Sequence, residues 1–210
     1  MKQIAIVDYG TGNVHSIGRM VSGLGAEWTH TKDPGKLREA THLVLPGVGH
    51  CARAMASLQH SGILDVLDER VCQAGVPTLG ICLGMQLMTR SSEEGSTECL
   101  GWFDMETTEI KPSDRRAYKV PNIGWHVLES ANDTLFHDIT TSDQPMFFCH
   151  RFAVRAPQEA GVIATFNYGA DYVAALRHKN LIGVQFHPEK SQGPGRKLMA
   201  NFLALGQDDV

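Results

Sequence analysis

Two short stretches of this chain hold residue types that together could make and break a covalent bond. The first, Gly80-Ile81-Cys82-Leu83-Gly84, has the form of a nucleophile elbow with cysteine in the serine position. A sharp strand-to-helix turn strains the nucleophile's backbone, and only small residues fit two positions to either side. A helix that starts there aims free N–H groups at the thiol, which favours the thiolate, and the N–H of Leu83 becomes an oxyanion donor. The second stretch is His187-Pro188-Glu189, directly after the apolar run Ile182-Gly183-Val184-Gln185-Phe186. A thiol nucleophile needs a base, and the base needs an acceptor on its other ring nitrogen. Of the ten histidines, only His187 ends a strand with an acid two residues on. Alone, the pentapeptide reads equally well as a buried cysteine between packing glycines, and a lone histidine is more often packed than catalytic. Together they predict a triad of Cys82, His187 and Glu189.

Two glycine-rich turns follow other strand-like runs. Pro46-Gly47-Val48-Gly49 can bring bare backbone to a substrate and offer an N–H to an oxyanion, although by itself it would be read as a plain strand-to-helix loop. Asp8-Tyr9-Gly10-Thr11-Gly12-Asn13 lacks both the G-x-G-x-x-G fingerprint and the phosphate-loop lysine, so a nucleotide-binding role is rejected.

The elements that position these residues alternate in the first half. Ile4 to Val7, Leu43 to Leu45 and Pro77 to Ile81 are short apolar runs suited to buried parallel strands. Between them, Asn13 can cap a helix to about Leu24, and Ile63, Leu64, Leu67 and Val71 form a helical stripe. Strand-helix alternation argues for an α/β fold, a mostly parallel sheet with helices on both faces. The second half is richer in strands: Met146 to Val154, Val162 to Tyr168, Val173 to Leu176 and Leu181 to Phe186. Their short spacings leave little room for crossover helices, which predicts some antiparallel pairing. A last helix is expected over about Gly195 to Leu205. No repeat or linker divides the chain, so a single domain over residues 1–210 is expected.

Composition narrows the function classes. Hydrophobic residues are 42% and charged residues 20% of the 210, with a formal charge of −4, ordinary values for a soluble globular protein. No basic run with interleaved aromatics suggests nucleic-acid binding. The five cysteines are widely spaced with no C-x-x-C pair, so neither a zinc knuckle nor a disulfide framework is indicated. No apolar run nears the roughly 20 residues that span a bilayer, and the N-terminal residues do not form a signal-peptide core. A reduced, cytoplasmic protein without metal or cofactor is the expectation.

On these motifs the chain resembles the class I, triad-type glutamine amidotransferases. More narrowly it resembles the glutaminase subunits of imidazole glycerol phosphate synthase, from histidine biosynthesis. The elbow and His-Pro-Glu mark the class. The Tyr-Gly-x-Gly-Asn and Pro-Gly-Val-Gly stretches narrow it, with Ser92-Glu93-Glu94-Gly95, Gly124-Trp125 and Gln185-Phe186-His187-Pro188-Glu189-Lys190-Ser191 extending the likeness over nearly the whole chain. The resemblance implies a flavodoxin-like sheet and attack by Cys82 on the glutamine side-chain amide. It implies that His187 shuttles the proton and Glu189 holds the imidazole. Gly49 and Leu83 would lie at the oxyanion, and Gln86 and Glu94 would hold the amino-acid head of L-glutamine. It also implies a (β/α)8-barrel cyclase partner that receives the ammonia in a heterodimer, faced by Asn122, Trp125 and His126, with Pro46 to Gly49 as a switch that responds to the partner.

Three positions depart from the family pattern. Pro121-Asn122-Ile123-Gly124-Trp125-His126 stands where Pro-His-Met-Gly-Trp-Asn is usual, Arg151-Phe152 follows His150 where Ser or Thr and then Tyr are common, and Cys51 replaces a phenylalanine. Such departures would also suit a paralogue that feeds ammonia to another synthase, for instance one that modifies surface-polysaccharide sugars. Two readings come from other classes: an inactive regulatory subunit or scaffold, and a thiol hydrolase for peptides or γ-glutamyl compounds. An intact triad argues against the first, and Gln86 with Glu94 against the second.

Overall fold

The computed structural model describes residues 2–10, 12–156 and 161–206. Thr11, part of the N-terminal glycine-rich motif, lies outside the described residues. The first half runs β1 (Gln3–Val7), α1 (Val14–Ser22), β2 (Glu27–Thr31), α2 (Pro34–Glu39), β3 (His42–Leu45), α3 (Cys51–Ser61), α4 (Leu64–Asp68), β4 (Thr78–Ile81) and α5 (Leu83–Met88). Next come β5 (Thr89–Ser92), β6 (Thr97–Glu98), β7 (Phe103–Glu109), β8 (Asn122–His126), β9 (Met146–His150) and β10 (Phe152–Val154). The chain closes with β11 (Val162–Asn167), β12 (Asp171–His178), β13 (Leu181–Val184) and α6 (Gln192–Ala204).

The central sheet has seven strands in the order β11-β12-β13-β4-β3-β1-β2. The five from β13 to β2 are parallel, and β12 and β11 add on antiparallel at one edge. This is the α/β architecture expected, with the antiparallel strands in the C-terminal half. Fully buried strands need apolar residues on both faces, and the two faces of β1 show it. Ile4 and Ile6 enter one cluster with Ile17 and Val21 of α1 and Leu198, Met199 and Phe202 of α6. Ala5 and Val7 enter the other with Leu37 of α2, Leu58 of α3, Leu67 of α4 and Met85 of α5. Two smaller sheets, β10-β7-β5-β6 and β8-β9, accompany the large one.

The register decides where the chemistry gathers. Leu45 of β3 pairs with Gly80 of β4, and Val184 of β13 pairs with Ile81. The Pro46 loop, the elbow at Cys82 and the His187 segment therefore leave three adjacent parallel strands at the same edge, where ligands bind in open α/β sheets. Glycines let the helix after the elbow lie close to the sheet. A Cβ on Gly80 would stand 2.7 Å from the carbonyl carbon of Gly84, and one on Gly183 would stand 2.7 Å from Cγ of Met85.

Four local expectations change. Asn13 occupies the cap position of α1, but its carbonyl rather than its side chain receives the N–H groups of Ser16 and Ile17. The stripe from Ile63 continues past α4 through a π-type turn over Glu69–Gln73, which keeps Ile63, Leu67 and Val71 buried while Leu64 is only partly covered. The single strand expected over Met146 to Val154 breaks at Arg151. There the backbone bends and the Arg151 carbonyl accepts from Ile110, so β9 joins β8 while β10 joins β7. The last helix starts at Gln192, three residues earlier than its apolar pattern implies.

A Cβ at Gly84 would collide with the Leu45 carbonyl oxygen, a backbone atom that cannot swing aside. Gly84→Ala is expected to destabilise the fold by about 3 kcal/mol, read as a lower urea midpoint at unchanged slope.

Candidate active site

Cys82 stands between β4 and α5 with φ 50° and ψ −102°, a left-handed conformation that L-residues other than glycine seldom adopt. The turn is fixed from both sides: Cys82 N–H donates to Val184 O at 2.7 Å, and Cys82 O accepts from Gln86 N–H at 3.1 Å. Strain of this kind persists only where the surroundings over-determine it. Its effect is to lift the thiol off the end of the sheet and into a cavity of about 260 Å³. Gly49, Leu83, Gln86, Glu94, Arg151 and His187 are among the residues lining that cavity.

His187 follows β13 and its backbone is clipped to β9. Its N–H donates to Phe147 O at 2.8 Å, and Ser191 Oγ donates to His187 O at 2.7 Å while accepting from Phe147 N–H at 2.9 Å. Nδ1 donates to Glu189 Oε1 at 2.8 Å, which leaves Nε2 for the Cys82 thiol. The histidine and glutamate side chains are 2% and 1% exposed. Burial works against a charged imidazole, but its bonds to Cys82 and Glu189 outweigh that and push His187 up to about 10. The remaining carboxylate oxygen, Glu189 Oε2, is buried without a hydrogen-bond partner among the described residues. The anion therefore rests chiefly on the imidazolium, and each charge makes the other tenable in the interior.

The other sequence-predicted residues gather at the same cavity. Gly49 has φ 146°, in the region reserved for glycine, so its peptide can take orientations closed to other residues. The start of its loop is held by Tyr9, whose buried hydroxyl donates to Pro46 O, and by Gly12, where a Cβ would meet Pro46 Cβ at 2.7 Å. Both N–H groups of the Gln86 amide are committed, to Phe152 O at 2.9 Å and Gln185 Oε1 at 3.1 Å. Gln86 can therefore offer a ligand only its carbonyl oxygen. Glu94 Oε2 accepts from Cys51 N–H at 2.7 Å. Arg151 Nε donates to Glu109 Oε1 at 2.8 Å, and that bond lowers the Glu109 pKa.

Sequence reasoning missed part of the surroundings. Gln185 donates to Cys82 Sγ at 3.5 Å, and the Cys149 carbonyl lies 3.9 Å from the same sulfur. Gln185 lies within the run before His187, next to its last residue, and only that neighbourhood could have marked it.

Of Asn122, Trp125 and His126, expected together at a partner face, Trp125 is exposed, His126 is half-buried and Asn122 is buried. Side chains alternate along β8, so Ile123 and Trp125 point outward while Asn122 and His126 turn inward. Asn122 is fully buried and joins two histidines. Its Oδ1 accepts from His126 Nε2 at 2.8 Å, its Nδ2 donates to His150 Nε2 at 3.2 Å, and His150 Nδ1 donates to Phe152 O at 2.8 Å. Each His150 nitrogen then has one role, so that imidazole is neutral. Burial agrees, lowering His126 and taking His150 down to about 4.

Residues 5–205 match the family model described as Glutamine amidotransferase class-I. The chain belongs to the class I glutamine amidotransferases. This amidotransferase is 39% identical over 200 residues to the imidazole glycerol phosphate synthase subunit HisH 2 of Methanococcus maripaludis, covering 95% of this chain and 98% of that one. It is 36% identical over 205 residues to the protein of the same name from Pseudomonas aeruginosa, covering 96% and 99%. Among solved structures, PurLQS of Thermotoga maritima matches with a TM-score of 0.73 at 18% identity over 96% of this chain and 97% of the other. A glutamine amidotransferase from the same organism matches with 0.65 at 15% identity over 97% and 99%. At those identities the structures speak for the fold alone. No described helix of the amidotransferase is long and apolar enough to cross a membrane.

Reactivity should follow the site rather than exposure. Partial burial and Asp68 push the exposed Cys72 up to about 11, whereas Cys82 faces a protonated imidazole. Iodoacetamide is expected to label Cys82 before Cys72, read by peptide mass spectrometry; faster labelling of Cys72 would count against the assignment.

Proposed function

We propose that this chain hydrolyses L-glutamine to glutamate and ammonia. The observation that carries the reading is the Cys82–His187–Glu189 constellation opening into an amino-acid-sized cavity with Glu94 on its wall. The Cys82 thiolate attacks the side-chain amide carbon, and the N–H groups of Gly49 and Leu83 receive the developing oxyanion. His187, held protonated by Glu189, gives its proton to the departing nitrogen, and ammonia leaves a γ-glutamyl thioester. Water then attacks the thioester with His187 as base, releasing glutamate and restoring the thiol. Glu94 supplies the counter-charge for the α-ammonium group of glutamine.

The ammonia passes in this reading to a (β/α)8 cyclase partner, in the synthase that makes imidazole glycerol phosphate and aminoimidazole carboxamide ribotide. Relatives named as subunits of that synthase, aligned over nearly their whole length, support it. Confinement makes chemical sense, because ammonia released into neutral water becomes ammonium and ceases to be a nucleophile. Ile123 and Trp125 on the outer side of β8 and Val127 just after it, each more than 40% exposed, form the surface suited to such a partner. We treat the chain as one amidotransferase domain of the cytoplasm, in keeping with two cores that share one sheet and with five free thiols.

A second reading keeps the glutaminase and changes the acceptor. Several relatives, those of Methanococcus maripaludis, Nitrobacter winogradskyi and Vibrio vulnificus among them, bear the name HisH 2. A second copy is the natural source of a glutaminase that serves another synthase. Glutamate release measured alone, and then with the host's cyclase and its ribotide ligand, separates the readings. Strong stimulation supports the histidine-pathway assignment; Cys82-dependent release that the cyclase never stimulates supports the other. Cys82→Ala is expected to lower glutamate release at least a thousandfold, and full retention of activity would sink the triad.

The His187 pair also sets a pH dependence. The folded value lies above the ordinary 6.5, so its stabilisation is complete below pH 6.5 and is lost as pH rises toward about 10. Proton donation to the leaving nitrogen fails over the same upper range. Glu189→Gln removes one of the contributions that raise His187, so the alkaline limb of kcat should move to lower pH. An unmoved limb in that variant would argue that Glu189 does not tune the base.

A further inference from the structure

Cys51 and Cys99, 48 residues apart in sequence, have their sulfurs 3.4 Å apart. Neither belongs to the triad. Cys51 is the first residue of α3 and is fully buried, while Cys99 follows β6 and is partly exposed. The pair shares a hydrogen bond, and Cys99 Sγ also reaches Thr97 O at 3.7 Å. A disulfide holds its sulfurs about 2.05 Å apart, so closing this pair asks for a movement of little more than an ångström. The pair is also electronically uneven: the bond from Cys99, helped by Ser92, lowers Cys51, whereas Cys99 is raised by the same bond and by burial. Cys99, the partly exposed member, gives an oxidant its way to the pair.

What surrounds the pair links it to the cavity. The Cys51 N–H donates to Glu94 Oε2 at 2.7 Å, so the residue that would be oxidised also holds the carboxylate on the cavity wall. Glu94 sits on the turn that joins β5 to β6, and Thr97 Oγ1 closes that turn on Glu94 O at 3.1 Å. The turn lies directly on the start of α3, since a Cβ at Gly95 would come 2.8 Å from Ala52 Cβ. Drawing Cys99 toward Cys51 moves the end of β6 and the start of α3 together, and the Glu94 turn lies between them.

We propose that Cys51 and Cys99 form a reversible disulfide whose closure displaces Glu94 and weakens glutamine binding. The oxidant is a hydroperoxide. The thiolate of one cysteine of the pair attacks one peroxide oxygen, the O–O bond breaks, and the departing hydroxide takes a proton to leave as water. The sulfur of the other cysteine then attacks the resulting sulfenic acid; the S–O bond breaks, a second water leaves with that thiol's proton, and the S–S bond forms. Two thiols lose two electrons and hydrogen peroxide is reduced to two waters. A dithiol reductant reverses the closure. The coupling to glutamine rests on the glutaminase reading, whereas the cross-link does not.

Peroxide also attacks Cys82, so the test uses the full-length Cys82→Ser protein and reads binding rather than turnover. The protein is treated with hydrogen peroxide, digested and mapped by mass spectrometry, and its glutamine Kd is measured by calorimetry before oxidation, after it and after dithiothreitol. The expected result is a peptide pair joined through Cys51 and Cys99, and a Kd at least fivefold weaker that dithiothreitol restores. In Cys82→Ser with Cys99→Ser, neither the cross-link nor the dithiothreitol-reversible weakening should occur. Oxidation of these cysteines to sulfinic acids without a cross-link overturns the disulfide. A cross-link with an unchanged Kd overturns the coupling to Glu94. Reduced protein that binds no glutamine at all overturns the glutaminase reading and the coupling with it, while the mapped peptides still decide the cross-link.

Discussion

The site depends on a backbone that no relaxed chain would choose. Cys82 has a left-handed φ, and what keeps it there is the absence of side chains around it. At Gly47, Gly80 and Gly84 an added Cβ would run into main-chain atoms of the neighbouring turns. The Pro46 loop, the elbow and the first turn of α5 are thus in backbone-to-backbone contact. Three adjacent strands end in register beneath them, so the conformational cost at one residue is met by the packing of the whole parallel sheet.

Electrostatics adds a second constraint. A histidine and a glutamate that are almost wholly covered would each be expensive to ionise alone, and here they form one unit with the thiol. Ser191 and β9 hold the backbone of that unit, and Gln185 approaches the sulfur from the side. Beside it lies a second set of imidazoles in the opposite state: Asn122 and burial keep His150 neutral, and burial lowers His126. Charged and uncharged histidines coexist within one small region because their hydrogen-bond partners differ, a carboxylate for one and an amide for the others.

Much of this was legible in the chain. Short apolar runs bounded by glycine and proline marked β1, β3, β4 and β13, because strands buried on both faces carry no polar alternation to confuse them. The elbow and His187-Pro188-Glu189 were visible because their spacing is local. What sequence could not supply was contact between distant segments. Gln185 looked like the end of a strand, and Cys51 and Cys99 looked like two unrelated thiols. The break at Arg151 was hidden within a stretch whose propensity is uniformly that of a strand. Asn122 looked outward-facing because a five-residue strand that alternates small, polar and aromatic residues does not declare which face is covered.

The bond between Asn122 and His126 gives a different meaning to the departure noted at those positions. The pattern that the resemblance implies has histidine at the first and asparagine at the second; in this chain the two are reversed, and they touch. An amide and an imidazole remain partnered whichever position each occupies. Replacing either one alone would set two amides or two imidazoles against each other and leave the link to His150 to be rebuilt. Within this chain the two side chains act as one hydrogen-bonded unit, tied to His150 through the Asn122 amide.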